Sequence, residues 1–173
     1  MATAKSKKTN SVSSRDLKVK NFDPNSPGLK DANIFGLPFT PDESSIVLVP
    51  VPWEATVSYG GGTYDGPEAI LEASAQVDLY HSEFPELWKQ GIAMTEISKD
   101  LHRKSKAAKK SAAKIIDAFA DGKSPEKDSK LKSLQTEVNA ASTSMISDVE
   151  AEIAKWMAKG KLVGMVGGDH STP

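Results

Sequence analysis

The chain contains no cysteine, which excludes disulfide frameworks, thiolate nucleophiles, iron–sulfur clusters and cysteine-based zinc sites, and leaves the redox compartment open. Neither sign of charge is in excess: 22 Lys and Arg stand against 23 Asp and Glu, a formal net charge of −1. Wholesale nucleic-acid binding needs surplus cation to displace counterions from phosphates, so no nucleic-acid partner is expected. No apolar run approaches the roughly 18–20 residues that cross a bilayer. A soluble, cytoplasmic protein with no membrane partner is therefore expected. What is present is 173 residues, 38% hydrophobic and 26% charged, enough for one ordinary domain or part of a larger one.

Residues 1–20 carry five Lys and one Arg against a single Asp, with Ser and Thr between them. So little apolar side chain cannot offset the entropy of ordering, and a disordered basic arm is expected. The composition superficially fits an organelle transit peptide, but the Arg-rich amphipathic helix of one is lacking. Residues 21–45 contain four prolines and two glycines. Phe22, Ile34, Phe35, Leu37 and Phe39 lie among them, which reads as an irregular extension pinned to a surface by its apolar side chains.

Regular structure is expected from Ile46. The continuous apolar run Ile46–Val51 reads as a strand buried on both faces, as in parallel sheets under helices. A long loop follows, then a helix from Pro67 to Tyr80 with Ile70, Leu71, Ala73, Ser74, Val77 and Leu79 as its apolar stripe. A short strand is expected at Ile92–Ile97 and a basic helix from Asp100 to Ala120. The longest helix should run from Glu126 to Lys159, because Leu131, Leu134, Val138, Ala141, Met145, Val149, Ile153 and Trp156 form one face; Gly160 is its stop. A last strand, Lys161–Val166, runs directly into Gly167-Gly168-Asp169-His170. Strands alternating with helices predict an α/β fold with a mostly parallel sheet. Three such strands cannot bury all their faces and edges, and the last has no helix after it. Residues 46–173 thus read as the truncated first portion of a larger doubly wound domain.

In open parallel sheets the functional crevice lies outside the carboxyl ends of the strands. Gly167 and Gly168 permit a sharp turn there, after which Asp169 and His170 can face the crevice. Imidazole is a good ligand for Mn, Ni or Zn, and a neighbouring carboxylate can orient it or bind metal itself. The plainer alternative is a turn in which Asp169 caps a helix and His170 is a surface residue. The glycine run Tyr59 to Thr63, just before a helix-starting Pro67, could cradle a phosphate with backbone N–H groups, but it matches neither a P-loop nor a dinucleotide fingerprint. A substrate-gating loop or a simple bend is the other reading. Asp100-Leu101-His102 is rejected as a metal site, since residues two apart point to different helix faces and Arg103 and Lys104 repel a cation. The run Lys99, Arg103, Lys104, Lys106, Lys109, Lys110, Lys114 has no interleaved aromatics for base stacking and reads as a solvated face. Trp53 and Trp88 are expected to fill core or interface.

Three blocks together resemble one family. Val49 to Tyr80 (VPVPWEATVSYGGGTYDGPEAILEASAQVDLY) is similar to the first strand, loop and helix of the ureohydrolases: arginase, agmatinase, formiminoglutamase and guanidinase. Lys161 to Pro173 (KLVGMVGGDHSTP) resembles that family's strand and first metal-ligand motif. Asn21 to Phe39 resembles the N-terminal arm of an agmatinase-like branch that includes guanidine hydrolases. The resemblance spans residues 21–173, loosest over 99–159, and implies the N-terminal part of a three-layer α/β/α domain. It further implies a pair of metal ions at the strand ends, usually Mn and in some guanidinases Ni, and hydrolysis of a guanidino compound to urea plus amine or ammonia. Carried over by position, His170 matches a metal ligand and Asp169 a group supporting it. Trp53, Ser58, Tyr59, Gly60, Gly61, Gly62 and Thr63 match a loop beside the active-site mouth. The family's remaining ligands lie in an Asp-x-His-x-Asp block and an Asp-x-Asp block, neither of which occurs in this sequence. The 173 residues alone are therefore expected to be inactive, and the complete enzyme to be a homo-oligomer acting on a small guanidino substrate. A non-catalytic interaction protein of the same fold is the alternative.

Overall fold

A computed structural model describes residues 12–28, 32–57 and 60–171. Its centre is strand β1 (Ile46–Val51), with β2 (Ile92–Met94) on one side and β3 (Leu162–Gly167) on the other. All three are parallel, in the order β2–β1–β3. Ile46 sits opposite both Ile92 and Leu162, and Val51 opposite Gly167. Helices lie on both sides of the sheet, so the expected α/β architecture with a parallel sheet is the one observed.

The period of two along β1 sends Val47, Val49 and Val51 to one face, where all three are buried. Val47 and Val49 meet Trp156, while Val51 joins Trp53, Leu101, Met145 and Val149. Apart from Trp53, these partners come from a helical hairpin of α3 (Lys99–Ala120) and α4 (Ser129–Ala158). Leu131, Val138, Met145, Val149 and Trp156 are the buried face of α4, as their spacing predicts. Ser98 caps α3 by accepting from the Leu101 amide at 3.1 Å. Asp128 caps α4 through the Lys130 amide at 2.8 Å, which starts this helix three residues after the expected Glu126.

Several expectations need correction. The basic arm is not disordered throughout: α1 spans Ser14–Asn21, with Ser13 accepting from the Asp16 amide. Charge anchors it together with one apolar contact, Val19 packing against the cluster of Leu37, Phe39 and Trp88. Arg15 donates to the carbonyls of Glu43 and Lys89 and lies 5.8 Å from the centre of the Phe39 ring, and Lys18 pairs with Glu43 at 2.6 Å. Residues 1–11 of that arm lie outside the described residues. In the extension that follows, Ile34, Leu37 and Phe39 are buried, and Phe22 and Phe39 pack on Trp88. The helix expected to reach Tyr80 is α2 (Gly66–Ser74) and stops six residues earlier. There the Ser74 hydroxyl is engaged by the Phe35 amide and the Leu71 carbonyl. Ile70 and Val77, expected in the apolar stripe, are exposed. The second strand ends at Met94, three residues before the expected Ile97, because the chain then turns into the Ser98 cap. Its last residue is held by Asn33, whose side chain accepts from the Met94 amide at 2.7 Å and donates to its carbonyl at 3.1 Å.

Candidate functional site

β1 and β3 end side by side, and the two turns that follow are sewn together. The Asp169 amide donates to the Trp53 carbonyl at 2.9 Å. Asp169 Oδ2 accepts from the Ala55 amide at 3.0 Å, and Oδ1 accepts from the Ser171 amide and hydroxyl. Gly168 makes this approach possible, since a Cβ there would sit inside the Trp53 backbone. The turn therefore hangs its next side chain, His170, at the carboxyl end of the sheet, where it is exposed.

The glycine-rich loop meets the same place. A Cβ added at Gly66 would lie 3.4 Å from the Gly167 carbonyl oxygen, so the end of the loop abuts the end of β3. Of the predicted mouth residues, Gly60, Gly61 and Thr63 are exposed and Gly62 is half-buried. Ser58 and Tyr59 lie outside the described residues. Trp53 belongs to this loop only by its backbone: its ring is fully buried in the core, and Nε1 has no hydrogen-bond partner among the described residues. Asp100 and His102 diverge as predicted. The former pairs with Arg103 and Lys104, the latter with Asp65 at 3.1 Å.

Sequence reasoning passed over Glu54. Its side chain is fully buried, yet charged and multiply bonded. Oε1 pairs with Lys109, and Oε2 accepts from the Gly62 amide at 2.7 Å, the Thr63 hydroxyl at 3.0 Å and the Tyr64 amide at 3.4 Å. The phosphate-cradle reading of this loop is thereby answered, because amides that could hold an external anion already hold an internal one. Burial alone would raise the Glu54 carboxyl, but Lys109 and the loop donors outweigh it and hold it at about 2. Glu43 is likewise held at about 2, with Lys18, Ser14 and Thr40 outweighing its desolvation. The available signal for Glu54 was a lone acid three residues past the end of a buried strand, followed by glycines whose N–H groups need an acceptor.

These two carboxyls make stability depend on acid. Both sit below their ordinary 4.5 in the folded chain, so the contribution is complete above that pH and is lost as pH falls toward 2. Each is worth about 2 kcal/mol once solvent screening is allowed for. Thermal unfolding between pH 6 and about pH 2.5 should show a falling Tm, and Glu43→Gln should flatten the profile. An unchanged profile in that variant would contradict the assignment.

The groups present do not fit a two-metal centre on their own. Among the described residues no three His, Asp or Glu side chains gather closely enough to hold a metal ion, and both Asp169 oxygens are already engaged. One exposed imidazole leaves most of a divalent ion's coordination unfilled.

Comparison with known proteins agrees with the architecture. Residues 44–173 match the family model described as the arginase family. A 41-residue stretch is 51% identical to the N(1)-aminopropylagmatine ureohydrolase of a Synechocystis species, covering 24% of this chain and 13% of that relative. No solved structure matches the chain. In the described residues no helix is long and apolar enough to cross a membrane. With a parallel sheet whose central strand exits into a glycine-rich loop and whose third strand exits into Gly-Gly-Asp-His, and with a family match over 130 of its residues, the chain belongs to the arginase family of ureohydrolases.

Proposed function

We propose that this chain contributes the first strand, mouth loop and first-ligand turn of an amidinohydrolase that cleaves a guanidino compound, agmatine, guanidine or similar, to urea and an amine or ammonia. The observation that carries the reading is the sewing of the Gly168-Asp169-His170 turn to the loop after β1, with the glycine-rich segment against the same strand end. The relative's name, a ureohydrolase acting on an agmatine derivative, supports the guanidino class. The guanidinium carbon is a poor electrophile because its charge is spread over three nitrogens. Its hydrolysis calls for a strong nucleophile at neutral pH, which paired metal ions supply by lowering the pKa of bound water. His170 would contribute to holding such ions, Mn or alternatively Ni, with Asp169 supporting the turn that carries it. Further donors are needed beyond the described residues, so the 173 residues by themselves do not turn over.

Purified chain with Mn or Ni should release no urea above buffer from agmatine, arginine or guanidine. It should bind Mn only weakly by electron paramagnetic resonance titration, and His170→Ala should remove that binding. Urea release would overturn the claim of inactivity, and Mn binding indifferent to His170→Ala would overturn the site.

A second reading is a non-catalytic interaction protein of the same fold. It is favoured by β3, which ends the described sheet as an edge strand and leaves Leu162 67% exposed on one face and Met165 43% exposed on the other. Such a surface suits docking onto an intact family enzyme or another copy of the chain. Size-exclusion chromatography with and without a full-length relative separates the two. A cooperatively folded monomer that comigrates with the relative favours docking.

A further inference from the structure

Three side chains of α3 reach the loop at helical spacing: His102, Lys106 and Lys109. His102 bonds Asp65 and packs its ring 4.9 Å from that of Tyr64. Lys106 and Lys109 lie 5.2 and 5.5 Å from the centre of the same Tyr64 ring. Lys109 also pairs with Glu54, whose other oxygen collects the donors of Gly62, Thr63 and Tyr64. The backbone of Glu54 is itself bound to α3, its amide donating to the Ser105 hydroxyl at 2.8 Å and its carbonyl accepting from it at 3.1 Å. Gly61 is tight against this arrangement, since a Cβ there would run into Lys109.

We infer that Glu54 and Lys109 are positioning residues: the buried carboxylate acts as a built-in anion for the loop amides, and the ammonium of α3 holds it there, so that residues 60–65 keep one conformation at the mouth. The inference adds to the proposed function the residues that shape its mouth, and rests on that reading only for the loop's purpose. A fully buried carboxylate that loses one of its donors keeps its charge with fewer partners, which makes the loop's geometry cooperative. Neutralising the ammonium removes the countercharge and lets water compete for the carboxylate. The loop amides should then open locally while the sheet stays closed.

Hydrogen exchange read amide by amide tests this on the full chain. Lys109→Met should lower protection of the Gly62 and Tyr64 amides by about tenfold or more, leaving those of Val47 and Val49 in β1 unchanged. Lys109→Arg, which keeps the charge, should restore most of it. Glu54→Gln should reproduce the methionine variant; should it fail to fold, Lys109, on a half-exposed side chain, still gives the answer. Unchanged protection at Gly62 and Tyr64, equal loss across the sheet, or no rescue by arginine would each overturn the inference. None of these readings depends on urea release or Mn binding, so the clamp and the proposed function stand or fall separately.

Discussion

Gly168→Ala should lower the unfolding free energy by about 3 kcal/mol, because the added methyl group has nowhere to go. The atoms in its way belong to the Trp53 backbone, not to a flexible side-chain end. Relief therefore requires the two strand exits to separate, breaking the Asp169-to-Trp53 and Ala55-to-Asp169 hydrogen bonds together. Gly160→Ala makes a useful control. Gly160 has φ 74° but open space around its missing Cβ, so its cost is conformational and about 1 kcal/mol. Urea unfolding of the two variants should rank them in that order. Equal midpoints would mean that the strand exits are not in close contact. The same variant should weaken any Mn binding by His170, since the turn that presents the imidazole is displaced.

Trp53→Ala should cost about 4 kcal/mol, the range for deleting a large ring from a packed core. The ring is completely enclosed by Val51, Ala55, Leu101, Ala108, Met145 and Val149, joining the end of β1 to both helices of the hairpin. Trp53→Phe should behave differently. It removes volume, but it also removes an indole N–H that has no hydrogen-bond partner among the described residues, a group whose unpaired burial costs about 1–3 kcal/mol. The two effects offset, and the phenylalanine variant should fall within about 1 kcal/mol of the parent. If it were nearly as damaging as alanine, the indole N–H would have to be satisfied in solution, by a buried water for example.

Elements whose burial repeats with a local period were legible without coordinates. The unbroken apolar run of Ile46–Val51 became the central strand, and the spacing of Leu131, Val138, Met145, Val149 and Trp156 became the buried face of α4. Glycines after the third strand marked the sharp turn at its carboxyl end. Less was legible where a residue's environment comes from far along the chain. α1 looked too polar to order; it is held by distant partners, Glu43 and the Lys89 carbonyl alongside Arg15 and Lys18 and the Leu37–Phe39–Trp88 cluster beneath Val19. α2 looked longer and more amphipathic than it is, because Ser74 is claimed by Phe35 from the preceding extension.

For the site, amino-acid order alone determined that an aspartate and a histidine follow an apolar strand, and that a glycine run follows another. Only the tertiary structure decided that these exits touch, that Trp53 turns its ring to the core while its carbonyl serves Asp169, and that Glu54 is the anion inside the loop. The physical reason is range. Hydrophobic periodicity is written within a dozen neighbouring residues, whereas the partner of a buried charge or the filler of a glycine's missing side chain is set by whichever distant segment the fold carries past it. Lys109 stands 55 residues from Glu54, and no local pattern links the two.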